Sequence, residues 1–401
     1  MKILYINALY APHIAGGAEI SLKLIVEGMQ ARGHEVVVLS LVPEGGLRSE
    51  WVDGVKVYRA GLKNGYWPFA KERPGRFRRL LWHVRDRYNT SMRAYVREVL
   101  NAEQPAVVSC HNLVGWSISV WDEIHHAGIP IVQVLHDMYL LSPNSTLFKK
   151  GRTAAHQDAL SHLLRVKHRR ASRGLAAVVG ISQSVLGRFL QYGYFEQIPH
   201  YVVHNARDIP AAHPPRTREE GAPLTVGYIG TLTAVKGVEW LIEQFKASGV
   251  EGRLVIAGSG KADDVQHFQQ LAGDDGRIMF AGYVDPSDFY ANIDLLVVPS
   301  LWEEPLGMVA VEGLANNLPV IASNRGGLRE TVVDGDNGIL CNPDEPDSLG
   351  QALIWLWQDV ALYNRMARAA RPSVGEYLSV GRMVNQYENV LNTVTTDHAI
   401  T

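Results

Sequence analysis

Cysteine is scarce in this 401-residue chain: Cys110 and Cys341 are its only two, far apart and in no metal-ligand spacing. Neither a disulfide framework nor a zinc site is indicated, and a reducing compartment, the cytoplasm, fits best. Long apolar runs are lacking as well. No stretch approaches the roughly 18 to 20 uninterrupted apolar residues that span a bilayer. The apolar stretch from Ile3 to Ala15 is broken by Asn7, Pro12 and His13 and continues into a helical pattern, unlike a cleaved leader. No Asp-x-Asp pair stands in a strand-end loop of the kind that holds a divalent cation against phosphates; Asp274-Asp275 and Asp334-Gly-Asp336 read as turns beside glycines. Metal independence and no cofactor are expected. The G-x-G-x-x-G fingerprint is absent too, since Gly16-Gly17 arrives late after the first strand, which argues against a dinucleotide oxidoreductase. Aromatics suited to base stacking are not gathered in a nucleic-acid-binding module, so no nucleic-acid partner is expected.

With 46% apolar and 20% charged residues the composition is that of an ordinary globular protein, and the length predicts two or three domains. The net charge of −2 hides an asymmetry. Residues 1–205 carry 25 basic and 15 acidic side chains; residues 206–401 carry 14 and 26. The basic excess concentrates in Lys71 to Leu100, nine against three, and in Lys149 to Arg173, eight against one. Such a surface attracts polyanions.

Periodicity supplies the architecture. Lys2 to Asn7 reads as a strand and Tyr10 to Gly17 as a loop. From Glu19 a helix follows, with Ile20, Leu24, Ile25, Gly28 and Met29 on one face; Gly33 ends it before a strand at Glu35 to Leu41. The pattern recurs: Leu224 to Ile229 as a strand, Gly230 to Gly237 as a loop, Val238 to Phe245 as a helix, Arg253 to Ala257 as the next strand. Further strands are expected at Ala106 to Ser109, Ile131 to Leu135, Ala176 to Gly180, Ile278 to Ala281, Leu295 to Pro299 and Pro319 to Ala322. Most are unbroken apolar runs, as parallel strands buried on both faces require. The proline-rich polar stretch from Arg207 to Pro223 reads as a linker. Two doubly wound α/β domains in tandem follow, at 1–205 and 206–372, with a ligand cleft expected between facing lobes at the carboxyl ends of both sheets.

The most specific segment runs from Asp294 to Glu312. A buried strand ends at Pro299-Ser300, a loop carries Glu303 and Glu304, and Pro305 falls where the first position of a new helix is expected. The amides of Leu306, Gly307 and Met308 would then be free donors. Glu312 lies eight residues after Glu304. Two carboxylates bracketing such a turn suit a polyol. Read alone, Glu304 is as well explained as an N-cap and Glu312 as a solvated helix residue.

Glutamate, then Pro-Leu-Gly, then a second glutamate resembles the E-x7-E signature of retaining nucleotide-sugar glycosyltransferases of family 4, which have the GT-B fold. The resemblance covers nearly the whole chain. Gly16-Gly17-Ala18-Glu19, His136-Asp137, Ser182-Gln-Ser184, Asn205, Gly230 to Gly237, Gly258-Ser-Gly260, Gly282-Tyr-Val284 and Gly326-Gly327 occur in family order. It implies that Glu312 binds ribose hydroxyls, Glu304 the transferred sugar, the amides of Leu306, Gly307 and Met308 sugar or phosphate, and that Tyr283 and Val284 flank the base. The leaving diphosphate requires positive charge or N–H donors. Lys236 is the candidate cation, with Gly16 and Gly17 as added donors. The commoner pattern has an arginine after the first glycine of the donor loop, where this chain reads Gly230-Thr231-Leu232-Thr233. Either Thr231 or Thr233 donates a hydroxyl hydrogen bond instead, or another cation such as Arg325 substitutes, or leaving-group stabilisation is weaker. His136 is implied beside the donor sugar, with Asp137 either orienting it or meeting the acceptor, and with front-face attack rather than a two-carboxylate glycosidase scheme; His111, which follows the strand at Ala106 to Ser109, is a candidate for the acceptor side or a structural histidine. The C-terminal helices, about 373–401, are implied to complete the first domain.

The basic first domain would carry the acceptor. Phe77, Leu80, Leu81, Trp82 and Val84 lie among Arg73, Arg76, Arg78, Arg79 and Arg85, and Leu163, Leu164 and Val166 precede Lys167 to Arg170. Such interleaving suits an anionic membrane surface and a lipid-linked sugar acceptor at the inner face of the cytoplasmic membrane, as in surface polysaccharide or lipopolysaccharide assembly. An ordinary solvated helix face explains the same pattern. The competing functional readings are a nucleotide-sugar epimerase or phosphorylase on the same fold and a non-catalytic polyanion-binding protein. The ordered motifs favour transfer from a UDP- or GDP-linked donor to a glycan or lipid-linked acceptor.

Overall fold

The computed structural model describes residues 1–400 except 71–73, 150–151, 154–156, 158 and 212. Lys71, Arg73 and Lys150 of the basic segments therefore lie outside the described residues. The chain divides into two units: Met1–Leu147 with Ala154–Ala206 and Val380–Thr401, and Phe148–Thr153 with Arg207–Ser379.

The strands of the first unit are β1 (Lys2–Ile6), β2 (Glu35–Val42), β3 (Leu47–Val52), β4 (Val55–Gly61), β5 (Val107–Cys110) and β6 (Ile131–Leu135); a short hairpin, β7 (Phe148–Lys149) and β8 (Arg152–Thr153), clusters with the second unit; β9 (Ala177–Gly180) and β10 (His200–Val202) complete the first. The second unit has β11 (Leu224–Ile229), β12 (Gly252–Ala257), β13 (Ile278–Gly282), β14 (Leu295–Val298), β15 (Val320–Ser323) and β16 (Gly338–Cys341). Among the described residues the first sheet runs β10-β9-β6-β5-β1-β2-β4-β3 and the second β13-β12-β11-β14-β15-β16. Every pairing in the two large sheets is parallel except β3 with β4. In each, the chain winds outward from a central strand in both directions, the doubly wound arrangement whose ligands bind at the carboxyl strand ends.

The helices are α1 (Gly17–Ala31), α2 (Arg76–Asp86), α3 (Arg93–Glu103), α4 (Ser119–His126), α5 (Ala159–Ala171) and α6 (Gln183–Gln191) in the first unit, which α14 (Val380–Ile400) rejoins. The second unit carries α7 (Val238–Ser248), α8 (Ala262–Ala272), α9 (Pro286–Ala291), α10 (Met308–Ala315), α11 (Leu328–Thr331), α12 (Ser348–Gln358) and α13 (Val360–Ser373). Both cysteines are buried and free. Among the described residues no helix is long and apolar enough to cross a membrane.

The apolar runs place the central strands within one or two residues, because a strand covered on both faces takes mostly apolar side chains, with Ser40, Ser109 and Gln133 as buried polar exceptions. The hairpin β3–β4 has no sequence signature: β3 is an edge strand exposed from Arg48 to Trp51 and half-buried only at Leu47 and Val52, so no apolar run marks it. The core face of α1 is also displaced from expectation. Leu22, Ile25, Val26 and Met29 are the buried set, while Ile20 is exposed. A second partner explains the shift: a Cβ on Gly28 would lie 2.4 Å from a methyl of Val384, so α14 covers the face that Gly28 leaves open.

Candidate active site

The second unit assembles its site from two loops that follow neighbouring strands. The loop after β11 ends in a short 3-10 turn, Ala234–Lys236, and the loop after β14 carries Ser300 to Leu306. The Leu301 amide donates to the Val235 carbonyl at 2.9 Å, which ties the loops together. Gly237 permits the approach: its φ is +73, and a Cβ there would lie 1.9 Å from the Pro299 carbonyl oxygen. This tie brings Lys236 to Glu304. The Lys236 Nζ donates to Glu304 Oε1 at 2.5 Å, Ser300 Oγ donates to the same oxygen at 2.6 Å and Trp302 Nε1 at 3.0 Å. No described residue donates to Oε2. The ammonium also sits 5.4 Å from the Trp302 ring centroid, a cation–π contact. Glu304 is 7% exposed. Burial by itself raises its pKa; the charge and hydrogen bond of Lys236, with Ser300 and Trp302, outweigh burial and hold the carboxyl below the usual range. Glu304 is therefore a fixed anion in this site.

Several expectations change here. Pro305 does not open the helix: α10 starts at Met308, with Gly307 at φ +82 as its N-cap. The reason is tertiary. The Gly327 amide donates to the Glu304 carbonyl at 2.7 Å and the Leu328 side chain packs over Gly307, so the backbone from Glu304 to Leu306 is held as a turn against the Gly326-Gly327 loop. Glu304 is accordingly no N-cap. Among the described residues none accepts from the amides of Leu306, Gly307 or Met308. Thr231 takes the Tyr228 hydroxyl on its carbonyl at 2.9 Å, and the Thr233 carbonyl accepts from the Lys236 amide at 3.0 Å; Gly230 adopts φ +157 at the start of that loop. Arg325, the expected substitute cation, pairs with Asp344 at 2.6 Å.

Glu312 sits apart from the Lys236 constellation in its contacts. It accepts from Tyr290 Oη at 3.0 Å and lines a cavity of about 290 Å³ with Arg207, Tyr290 and Asn316. Burial pushes its pKa up against the opposing effects of Tyr290 and Arg207. A carboxyl whose folded pKa is raised costs stability once the pH passes its unfolded value. Glu312→Gln, which keeps an acceptor for Tyr290, should therefore melt higher than the natural chain near neutral pH, with the difference vanishing below about pH 4. Equal melting at both pH values would show that burial does not strain this carboxyl. Tyr283 is 88% exposed after β13, and Val284 beside it is half-buried. Arg207, Tyr290, Ser300 and Trp302 were not singled out from sequence. Only the second Glu of the motif could have pointed to Tyr290, and nothing local marks an arginine at a linker start.

In the first unit, Gly16 is the N-cap of α1 and its amide donates to Glu19 Oε2 at 2.9 Å, the one half of a capping box that a residue without a side chain can form. That amide, expected to face a diphosphate, is thus engaged by Glu19, while Gly17 is the first residue of the helix. His136 follows β6 as expected. His111, expected on the acceptor side, is 2% exposed, stacks on His136 with centroids 5.1 Å apart, and its Nδ1 meets His136 Nε2 at 2.8 Å. Burial first, then His136, keeps the His111 imidazole well below its ordinary pKa and hence neutral. Asp137 lines a separate cavity with Asn112, Tyr139 and Trp82. Burial raises its pKa to about 6, against an amide hydrogen bond from Tyr139 at 2.7 Å. Among the described residues no three His, Cys, Asp or Glu side chains converge as a metal site would require. Asp275 instead binds Arg277, and Asp334 caps the Leu340 amide at 2.8 Å.

Two doubly wound parallel-sheet units, each with a glycine-containing loop leading to a helix after its central strand, define a GT-B fold. Comparison with known proteins agrees. A family model described as Glycosyltransferase Family 4 matches residues 15–209 and one described as Glycosyl transferases group 1 matches residues 223–359. The chain belongs to the family 4 glycosyltransferases and is an enzyme of the glycosyltransferase kind. It is similar to an uncharacterized 42.6 kDa protein in the cps region of Klebsiella pneumoniae, at 26% identity over 82% of this chain and 87% of that one. It is also similar to the lipopolysaccharide core biosynthesis mannosyltransferase LpcC of Rhizobium leguminosarum, at 28% over 42% of this chain and 53% of that one. Among solved structures, Anabaena HepE in complex with UDP and glucose matches with a TM-score of 0.71 and 21% identity, covering 98% of this chain and 100% of that one.

Proposed function

We propose that this chain is a retaining, metal-independent glycosyltransferase that moves a sugar from a UDP- or GDP-linked donor to a glycan or lipid-linked acceptor in surface polysaccharide or lipopolysaccharide assembly. The carrying observation is the Glu304 constellation. Three donors occupy one carboxylate oxygen, so the group is fixed and charged while its second oxygen keeps its acceptor capacity for a sugar hydroxyl. Lys236 has two further N–H donors beyond the one given to Glu304, enough to bridge that carboxylate and a phosphate oxygen. Charge-assisted bonds of this kind are worth on the order of 1.5–3 kcal/mol, more for a leaving diphosphate than for an ester ground state.

The remaining roles fall to residues of each unit. Leu306, Gly307 and Met308 supply amides, Thr231 and Thr233 line the donor loop, Glu312 takes ribose hydroxyls, and Tyr283 with Val284 flanks the base. The exposure of Tyr283 supports that last role, since a stacking ring must be reachable. In the first unit His136, held by neutral His111, is assigned to the transferred sugar and Asp137 to the acceptor. The bound UDP and glucose of Anabaena HepE favour a nucleotide-sugar donor, and the lipopolysaccharide mannosyltransferase favours a surface glycan.

Association with the inner membrane face is supported by α2, where Phe77, Leu80, Leu81 and Val84 form an exposed apolar stripe among Arg76, Arg78, Arg79 and Arg85. Trp82, expected in that surface, is buried and donates to the Tyr66 carbonyl at 2.9 Å. On α5, Leu163 and Val166 are exposed and Leu164 is buried.

A thermal-shift panel of UDP-, GDP- and ADP-sugars tests the donor: a ligand at about 100 times its dissociation constant adds roughly 2.7 kcal/mol. Stabilisation by one nucleotide class is expected, lost in Glu304→Ala. A flat panel overturns the donor assignment. Proton NMR of the first product should show the donor's anomeric configuration retained and turnover unaffected by a chelator. Liposome flotation at low salt should bring the protein up with anionic vesicles and not with neutral ones.

A further inference from the structure

The cavity that Asp137 lines has a volume of about 520 Å³ and lies between α2 and the segments after β5 and β6. Trp82 and Tyr139 give it aromatic walls, Asn112 and Asp137 planar hydrogen-bonding groups, and Arg76 and Arg79 cations. Aromatic walls with planar polar groups suit a pyranose, which offers C–H on its faces and hydroxyls around its rim. The cations call for something more. Arg76 and Arg79 are three apart on α2 and share a face. The Arg79 Nε is buried and meets no acceptor among the described residues. Asp137 does not supply one: its Oδ1 accepts the Tyr139 amide, and the charges that act on it are Glu19 and Arg165. Two guanidinium forks on one side of a sugar-sized cavity, one of them with an unanswered N–H, fit a phosphate or diphosphate group.

The source of that group follows from Leu80. It belongs both to the cavity wall and to the exposed stripe of Phe77, Leu80, Leu81 and Val84, at positions i, i+3, i+4 and i+7 of one helix face. An apolar chain lying along the stripe therefore begins where the phosphate would sit.

We propose that this cavity seats a lipid-linked glycosyl diphosphate as acceptor, with its phosphates on Arg76 and Arg79, its sugar against Trp82 and Asp137, and its prenyl or acyl chain along the apolar stripe of α2. The inference deepens the functional reading above and rests on it. Asp137, with a pKa near 6, is charged at neutral pH and accepts a hydrogen bond from a sugar hydroxyl.

Titration calorimetry of the full chain with geranyl diphosphate, inorganic pyrophosphate and geraniol tests it. Geranyl diphosphate should bind at least about ten-fold more tightly than either of the others, since each lacks half of the recognised group. Arg79→Gln should lose about ten-fold for geranyl diphosphate, and Leu81→Ser should remove only the advantage over pyrophosphate. Arg79 and Leu81 are both partly solvent-facing, so both variants are expected to melt with the natural chain. Equal affinity for pyrophosphate and geranyl diphosphate overturns the lipid source. No binding of geranyl diphosphate at about 1 mM overturns the site. Binding that survives Arg79→Gln and is lost in Lys236→Ala places the probe in the donor diphosphate subsite; that result overturns this inference and leaves the proposed function standing. Binding at Arg79 with a flat nucleotide-sugar panel does the reverse.

Discussion

Lys236→Ala is expected to lower turnover by about 10² to 10³ and to destabilise the fold, the second effect shrinking on acidification. The first magnitude is that of removing one preorganised donor to a developing negative charge. The second follows from what the substitution leaves behind. Glu304 is buried, and with its cation gone only Ser300 and Trp302 oppose the cost of burial. Removing one partner of a buried ion pair costs about 3–5 kcal/mol; the lower end applies here, because the Lys236 side chain is 28% exposed.

The pH dependence carries the sign. In the natural chain the Glu304 carboxyl is held below its ordinary value of 4.5. Its contribution is present above that value and fades only as the pH falls through the lower folded one. In Lys236→Ala burial dominates and the folded pKa rises above 4.5, so the variant is penalised near neutrality and relieved by protonation. Melting curves of both chains should diverge most at about pH 7.5, narrow as protonation relieves the variant, and converge only below about pH 4, where the natural chain's pair is lost as well. Glu304→Gln removes the same pair differently: the stranded ammonium reaches water, so its stability loss should be the smaller of the two although turnover falls as far. A stability deficit of Lys236→Ala that is flat with pH would show that the two groups are not counterions in solution.

The second large effect is expected at Gly237. Ala at that position must adopt φ +73, which costs on the order of 1 kcal/mol. It must also place a Cβ 1.9 Å from the Pro299 carbonyl oxygen, a backbone atom that cannot swing aside. Gly249 separates the two costs: it has φ +64 and no atom within 4 Å of an added Cβ. Gly249→Ala should therefore lose only the conformational part with turnover unchanged. Gly237→Ala should lose several kcal/mol if the loops stay together, or turnover if they part. The expected readout is a melting temperature well below that of Gly249→Ala, with donor affinity reduced as the Val235–Leu301 tie opens. Matching melts and matching turnover in the two variants would mean that the contact does not hold Lys236 against Glu304.

Legibility varied along the chain for reasons visible in individual residues. Leu295–Val298 and Ile131–Leu135 were readable because a strand sandwiched between helices is apolar at all or nearly all positions; Gln133 is the one polar residue of the two. The edge strand Leu47–Val52 was not, because its register comes from the Val55–Gly61 strand beside it and not from its own pattern. The helix at Met308 was placed three residues early, since proline at a first position is a local preference and the Gly327 amide on the Glu304 carbonyl is not a local fact. From its place after a strand, His111 reads as a candidate for the acceptor side, and its engagement with a second histidine is not legible locally. Its partner His136 stands 25 positions away, just past the end of the neighbouring strand.

The sequence by itself determined the class: two doubly wound parallel sheets and an ordered set of motifs that belongs to one enzyme family. It could do so because burial on both faces and glycine-dependent loops are conditions each segment must meet alone. Only the tertiary structure decided the chemistry of the site. Lys236 and Glu304 are 68 positions apart, and which cation answers which carboxylate depends on loops that meet only after both strands have entered the same sheet.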